Sequence, residues 1–241
     1  MIAFRTLPPD APELDLCPLL RSAQMTLQYA VEHDGIGLTQ TKAFKRVFVH
    51  WAAKHFHWPG MEYDELFRYN KVLNEYEFPP LEMTHFLLTQ LKLGRHYKGR
   101  FKTTKQGAAL AADRGKLFAE LIPFFLFRID HSSYSRLAET PVGNWDTWLN
   151  VINVEVDHGA DEKHLFKTFY GYEASFAQGN WRKAAVFSSC VLKPLEWAGL
   201  LDSVASKDDD GLTQHHYVRT QLWRSVLELD TDPLLVPMQK H

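Results

Sequence analysis

The sequence predicts a mainly α protein with short β-hairpins, an α+β fold built as two similar modules in tandem. Apolar residues recur at helical spacing through most of the chain, and "RHYKGRFKTT" (95–104) alternates around a central glycine between two helical stretches. A like succession of helix, glycine, strand, turn, strand, threonine and helix returns after residue 181.

The elements follow in order. Residues 1–16, with Pro8, Pro9 and Pro12, read as an extended arm. Leu19, Leu20, Met25, Leu27 and Tyr29 predict a helix over 18–33, ended by Asp34-Gly35. Thr39 is a candidate cap for a second helix with the stripe Phe44, Val47, Phe48, Trp51 and Phe56, broken at Trp58-Pro59-Gly60. An acidic helix over 61–78 stops at Pro79-Pro80. These prolines suit a helix start, where the first amides lack partners anyway, so a third helix begins there and closes at Gly94. A hairpin around Gly99 leads to another helix from Thr104.

In the second half, Val186, Cys190, Leu195 and Ala198 keep helical spacing up to Gly199. "LLDSV", a turn at Asp208-Asp209-Asp210-Gly211 and "HHYVRT" follow, with a last helix near Thr220. The expected division is an arm at 1–16, a first module at 17–125, a helical connecting region at 126–180 and a second module at 181–241.

The stretch "LLTQLKLGRHYKGRFKTTKQGAAL" resembles the winged-helix superfamily: the end of a recognition helix, a leucine-bearing turn, a cationic wing, and a threonine opening the next helix. Together with "GIGLTQTKAF", "VLKPLEWAGLL" and "YVRTQLWRSVLEL" it also resembles the C-terminal region of the bacterial plasmid ORF-3-like proteins, a likeness over about residues 18–230. That likeness implies a bacterial or mobile-element origin and shared architecture and carries over no catalytic residue.

Composition narrows the function. At 45% hydrophobic and 23% charged residues the chain is of ordinary globular type. Cys17 and Cys190 stand far apart without metal-ligand spacing, so a reducing, cytoplasmic setting is expected, and no segment has the length of a membrane span. There is no HExxH, no nucleophile elbow and no phosphate-binding glycine loop. Of the histidine clusters, Asp157, His158, Asp161, Glu162 and His164 hold ligand types for zinc or manganese, but a polar loop explains them more simply. No metal, cofactor or enzymatic activity is predicted.

The net charge of −2 gives no general pull toward nucleic acid. Its distribution does. Lys92, Arg95, Lys98, Arg100, Lys102 and Lys105 crowd one hairpin with no acid among them, and Lys42, Lys45 and Arg46 lie in another acid-free stretch. On a winged helix the wing cations would hold duplex DNA by its backbone, while Thr84, His85, Thr89 and Gln90 of the third helix would read bases, with Glu82 opposing phosphate. Asp208, Asp209 and Asp210 set the second module against DNA and toward a protein partner or a homodimer, with Trp181, Trp197 and Trp223 as candidate anchors. The expectation is a non-enzymatic DNA-binding regulator; the alternative is an interaction module on the same scaffold.

Overall fold

A computed structural model describes residues 2–134, 137, 139–175, 178–207 and 213–235, the side chains of Tyr69 and Tyr134 excepted. The fold is mixed, 55% helical with small antiparallel sheets. Two units divide the chain: Leu7–Ile122, and Pro123–His241 together with Met1–Thr6.

Strand β1 (Ala3–Phe4) belongs to the second unit. The first unit then runs α1 (Pro18–Glu32), β2 (Ile36–Gly37), α2 (Arg46–His55), α3 (Tyr63–Tyr69), α4 (Pro79–Gln90), β3 (Gly94–Tyr97), β4 (Arg100–Thr103) and α5 (Lys105–Ala111). Helix α6 (Arg114–Arg128) carries the unit boundary at Pro123. The second unit continues with α7 (Trp145–Glu155), β5 (Ala160–Asp161), α8 (Glu162–Tyr170), α9 (Trp181–Phe187), a π-turn at Ser188–Leu192, α10 (Lys193–Trp197), β6 (Leu201–Lys207), β7 (Thr213–Arg219), α11 (Gln221–Val226) and β8 (Leu227–Glu228). Pro194 has no amide to give the preceding turn, which accounts for the widening of the helix just before it.

Both units have the order helix, strand, helices, two strands, helix. Their three-stranded antiparallel sheets are threaded alike, as β2-β4-β3 and β5-β7-β6. The likeness reaches individual hydrogen bonds. At the end of α4, Lys92 N–H bonds Thr89 O and Leu93 N–H bonds Leu88 O; at the end of α10, Gly199 N–H bonds Glu196 O and Leu200 N–H bonds Leu195 O. Each pair is the Schellman closure, which satisfies the last carbonyls of a helix. Thr104 N–H bonds Leu93 O and its hydroxyl bonds Lys92 O; Thr220 N–H bonds Leu200 O and its hydroxyl bonds Gly199 O. Register completes the match: Ile36 pairs with buried Phe101, and Ala160 with buried Tyr217.

Several expected boundaries change. Helix α4 closes on Lys92 at φ 57°, not on Gly94. Gly94 lies in β3, where an added Cβ would sit 1.9 Å from the Phe101 ring, so the glycine makes room for the core aromatic. Thr39 does not cap α2: its hydroxyl takes the Ala43 N–H in a loop closed by a Leu38–Phe44 bridge, and α2 starts at Arg46. The acidic helix spans only Tyr63–Tyr69, followed by a short turn at Glu75–Glu77.

The connecting region expected at 126–180 is not separate. It supplies the first helix, first strand and second helix of the second unit, since β5 pairs with β7. Nor is the arm at 1–16 free of structure. Leu14 is buried in a turn at Pro12–Leu16, and β1 pairs with β8. In the second unit Asn153, fully buried, accepts from Arg219 and Trp223 and donates to Thr231 and Asp232, fastening α7 to β7, α11 and the chain's last described turn.

Candidate nucleic-acid interface

The hairpin of the first unit turns on Lys98 and Gly99, at φ 47° and 73°. A two-residue turn needs positive φ at both central positions to match the twist of its strands, and only the glycine adopts it without cost. Residues directly opposite in an antiparallel pair share a face. The pairs Gly94–Thr103 and His96–Phe101 therefore line the core side, while Arg95–Lys102 and Tyr97–Arg100 line the outer side. Gly37 is opposite Arg100 on this outer side, and the aliphatic stem of Lys45 lies over it, 3.1 Å from where a Cβ would stand. The outer face thus carries Lys45, Arg95, Tyr97, Arg100 and Lys102, with Lys98 at its tip.

These cations are not equivalent. Arg100 donates to the carbonyls of His33 and Gly35 at 2.9 and 2.7 Å, tying β4 to the end of α1. Lys102 pairs with Asp34, and this contact holds the Asp34 carboxyl below its usual range. Both are committed to the fold. Lys92, Arg95, Lys98 and Lys105 are exposed, and among the described residues none of them has a carboxylate within ion-pair distance. Arg95 and Lys98 lie over the half-exposed Tyr97 ring, at 5.6 and 5.3 Å from its centre. Lys105 opens α5, where the positive end of the helix dipole disfavours a cation.

The base-reading set requires correction. Thr84 is fully buried, with its hydroxyl spent on Pro80 O and Ser22. His85 is 8% exposed, clamped between Glu75 and His96 and stacked on Phe44 at 3.8 Å. Thr89 is half-buried and bonds back to His85 O; Gln90 alone of the four is exposed. Helix α4 has too little free surface to lie in a groove as a reading helix, because Leu81, Met83, Leu87 and Leu88 also face the core.

Sequence reasoning missed a cleft of about 530 Å³ lined by Thr39, Thr41, Lys45, Arg46, Asn74 and Tyr76, among others. Lys45 belongs both to it and to the cationic face. Arg46 donates to Asn74 Oδ1 through Nε, and Val47 and Tyr76 stand 79% and 66% exposed at the rim. The loop's threonines and lysines are visible in sequence, but Asn74 and Tyr76 reach the cleft only through the fold.

The second unit presents a different surface. The outer side of its hairpin pairs Asp202 with Val218, Val204 with His216 and Ser206 with Gln214, and among the described residues holds no lysine or arginine. Arg219 is buried against Asp157. Asp208, Asp209 and Asp210 lie outside the described residues. Trp223 is a core residue bonded to Asn153 rather than a surface anchor, and Trp197 stacks on Phe125; Trp181 is half-buried beneath Arg182. The Asp157–His164 cluster is spent locally, with Asp161 capping α8 and His164 bonded to Glu155. Among the described residues no group of three or more His, Cys, Asp or Glu is placed to hold a metal, and no helix is long and apolar enough to cross a membrane.

Comparison with known proteins gives a family. Models of the Y4jL N-terminal domain and the y4jL C-terminal domain match residues 15–116 and 135–221, in step with the two units. Uncharacterized protein y4jL of Sinorhizobium fredii is 36% identical over 160 residues, covering 66% of this chain and 73% of the relative. No solved structure matches. Neither the winged-helix superfamily nor the plasmid ORF-3-like proteins are named by these matches. The chain belongs to the Y4jL family.

Proposed function

We propose that the chain is a non-enzymatic, tandem winged-helix protein that grips duplex DNA by its phosphates, using the outer face and tip of the first hairpin. One observation carries this reading. Lys92 and Lys98, which flank β3, hold positive φ at 57° and 47°, where glycine would be cheaper by about 1 kcal/mol each. The second unit shows the cheaper choice, with Gly199 in the place of Lys92. Backbone strain at a charged surface is explained when the charge has a ligand, and a polyanion fits the five unpaired cations Lys45, Lys92, Arg95, Lys98 and Lys105. With α4 buried, contact to base edges is slight, so binding is expected to depend little on sequence.

The reading is tested by fluorescence anisotropy with short duplexes of unrelated sequence. Wild type should bind them alike at low salt, and Arg95→Glu with Lys98→Glu should weaken binding at least about tenfold by replacing two phosphate contacts with repulsions. Absence of binding, or indifference to the double change, overturns it.

A second reading has its own support. Val204 and Val218 are 64% and 38% exposed on the cation-free face of the second hairpin, and β6 is an edge strand. On that reading the second unit mediates self-association; a monomer by light scattering at high concentration rejects it.

A further inference from the structure

We propose that Glu75, His85 and His96 form a proton-operated latch that fastens the hairpin to α4 and releases it in mild acid. Its consequence for DNA rests on the reading above; the latch itself does not.

The chain of contacts starts inside. Glu75, 4% exposed, accepts the Phe44 N–H through Oε2 and the His85 Nδ1–H through Oε1 at 2.6 Å. The second bond turns His85 Nε2 toward β3, where it meets His96 Nε2 at 2.8 Å. Two ring nitrogens at that distance bond only if one donates and the other accepts, so the junction holds a single proton. When both rings are imidazolium, each nitrogen carries hydrogen, the acceptor is gone, and two positive charges face each other.

His85 cannot yield. Phe44 covers one face of its ring, and Phe101 meets it edge-on at 5.4 Å. His96 can, because it is exposed and β3 is the edge strand of its sheet, bonded to β4 alone. Releasing His96 frees the strand that bears Arg95 and Tyr97 and leads to Lys98.

The charged and titratable groups around the junction are Glu75, His85, Lys42 from the loop before α2, and Glu82, which faces Glu75 and His85 on α4. Burial first, then the His85 and Lys42 charges, hold the His96 pKa below its ordinary value of 6.5, against the pull of Glu75. The folded hairpin thus binds fewer protons there than the unfolded chain. Its stability is full above pH 6.5 and falls as the pH drops through that value toward the lower folded one.

Hydrogen exchange of the β3 and β4 amides, corrected for intrinsic rates, tests this without DNA. Between about pH 7.5 and 5.5, wild type should lose protection, by up to about tenfold for each pH unit below 6.5 until the lower folded pKa is reached. The His96→Gln amide can either donate to or accept from His85 Nε2 and does not titrate, so the variant's protection should stay flat. Equal loss in both proteins, or none in wild type, overturns the latch. Should the variant fold poorly, the wild-type His96 ring signal serves: β3 and β4 amide shifts must titrate with it, and tracking another histidine refutes the proposal. Because the assay holds no DNA, its failure leaves the binding reading standing, and failure of the anisotropy test leaves the latch.

Discussion

Replacing Lys92 with glycine should make the protein more stable and a poorer ligand for DNA. Lys92 stands at the left-handed position of the closure of α4, with φ at 57° and its N–H on Thr89 O. A side chain there costs about 1–2 kcal/mol against glycine, and the greater freedom of glycine in the unfolded chain takes back roughly half, leaving about 0.5–1 kcal/mol of stabilisation. For a unit of this size the unfolding midpoint should rise by about 2–4 °C in calorimetry of the full chain. The same change removes one free cation, so the log-log salt dependence of DNA binding should flatten by about 0.9. The reciprocal change, Gly199→Lys, should lower the stability of the second unit by about 1 kcal/mol, since φ there is 71°. A midpoint that falls on Lys92→Gly, or a salt slope that does not move, refutes the argument that strain is held there for charge.

Arg100→Ala and Arg95→Ala should separate folding from binding. The first frees the His33 and Gly35 carbonyls and should cost about 1–2 kcal/mol in urea melts, whereas Arg95→Ala should leave the midpoint unchanged and weaken DNA binding. Gly94→Ala should destabilise the first unit by about 2–4 kcal/mol, because the new methyl meets the Phe101 ring; a small change by circular dichroism would contradict that packing. Asn153→Ala strands the buried Arg219 and Trp223 donors and should cost about 3 kcal/mol, seen as selective loss of the second unit's transition.

Much of this fold was legible. Helices announced by apolar spacing and by prolines, such as α1 and α4, lie where the pattern places them, because burial of one face sets their extent. The hairpin at Lys98-Gly99 was legible because its turn chemistry is local. Two-residue strands were not: β2 and β5 have no periodicity, and they exist only because β4 and β7 offer them an edge. Missing β5 made the first half of the second unit look like a connector. For the site, sequence gave the cations but not their assignments. Arg100 and Lys102 look like Arg95 until the end of α1 is brought against β4. Thr84 and His85 look like surface polar residues because their partners, Ser22, Glu75 and His96, are distant or on other elements. The strained lysines carry no local signal, since positive φ at a non-glycine is imposed by the closure around it.

The salt dependence of duplex binding tests the central claim most directly. Five free cations, Lys45, Lys92, Arg95, Lys98 and Lys105, predict a log-log slope near −4.5, about 0.9 for each phosphate contact. Removing Arg95 and Lys98 together should bring the slope to about −2.7. A duplex affinity that does not respond to salt, or a slope unchanged when both residues are lost, would show that the cationic face of this hairpin is not where a polyanion is held.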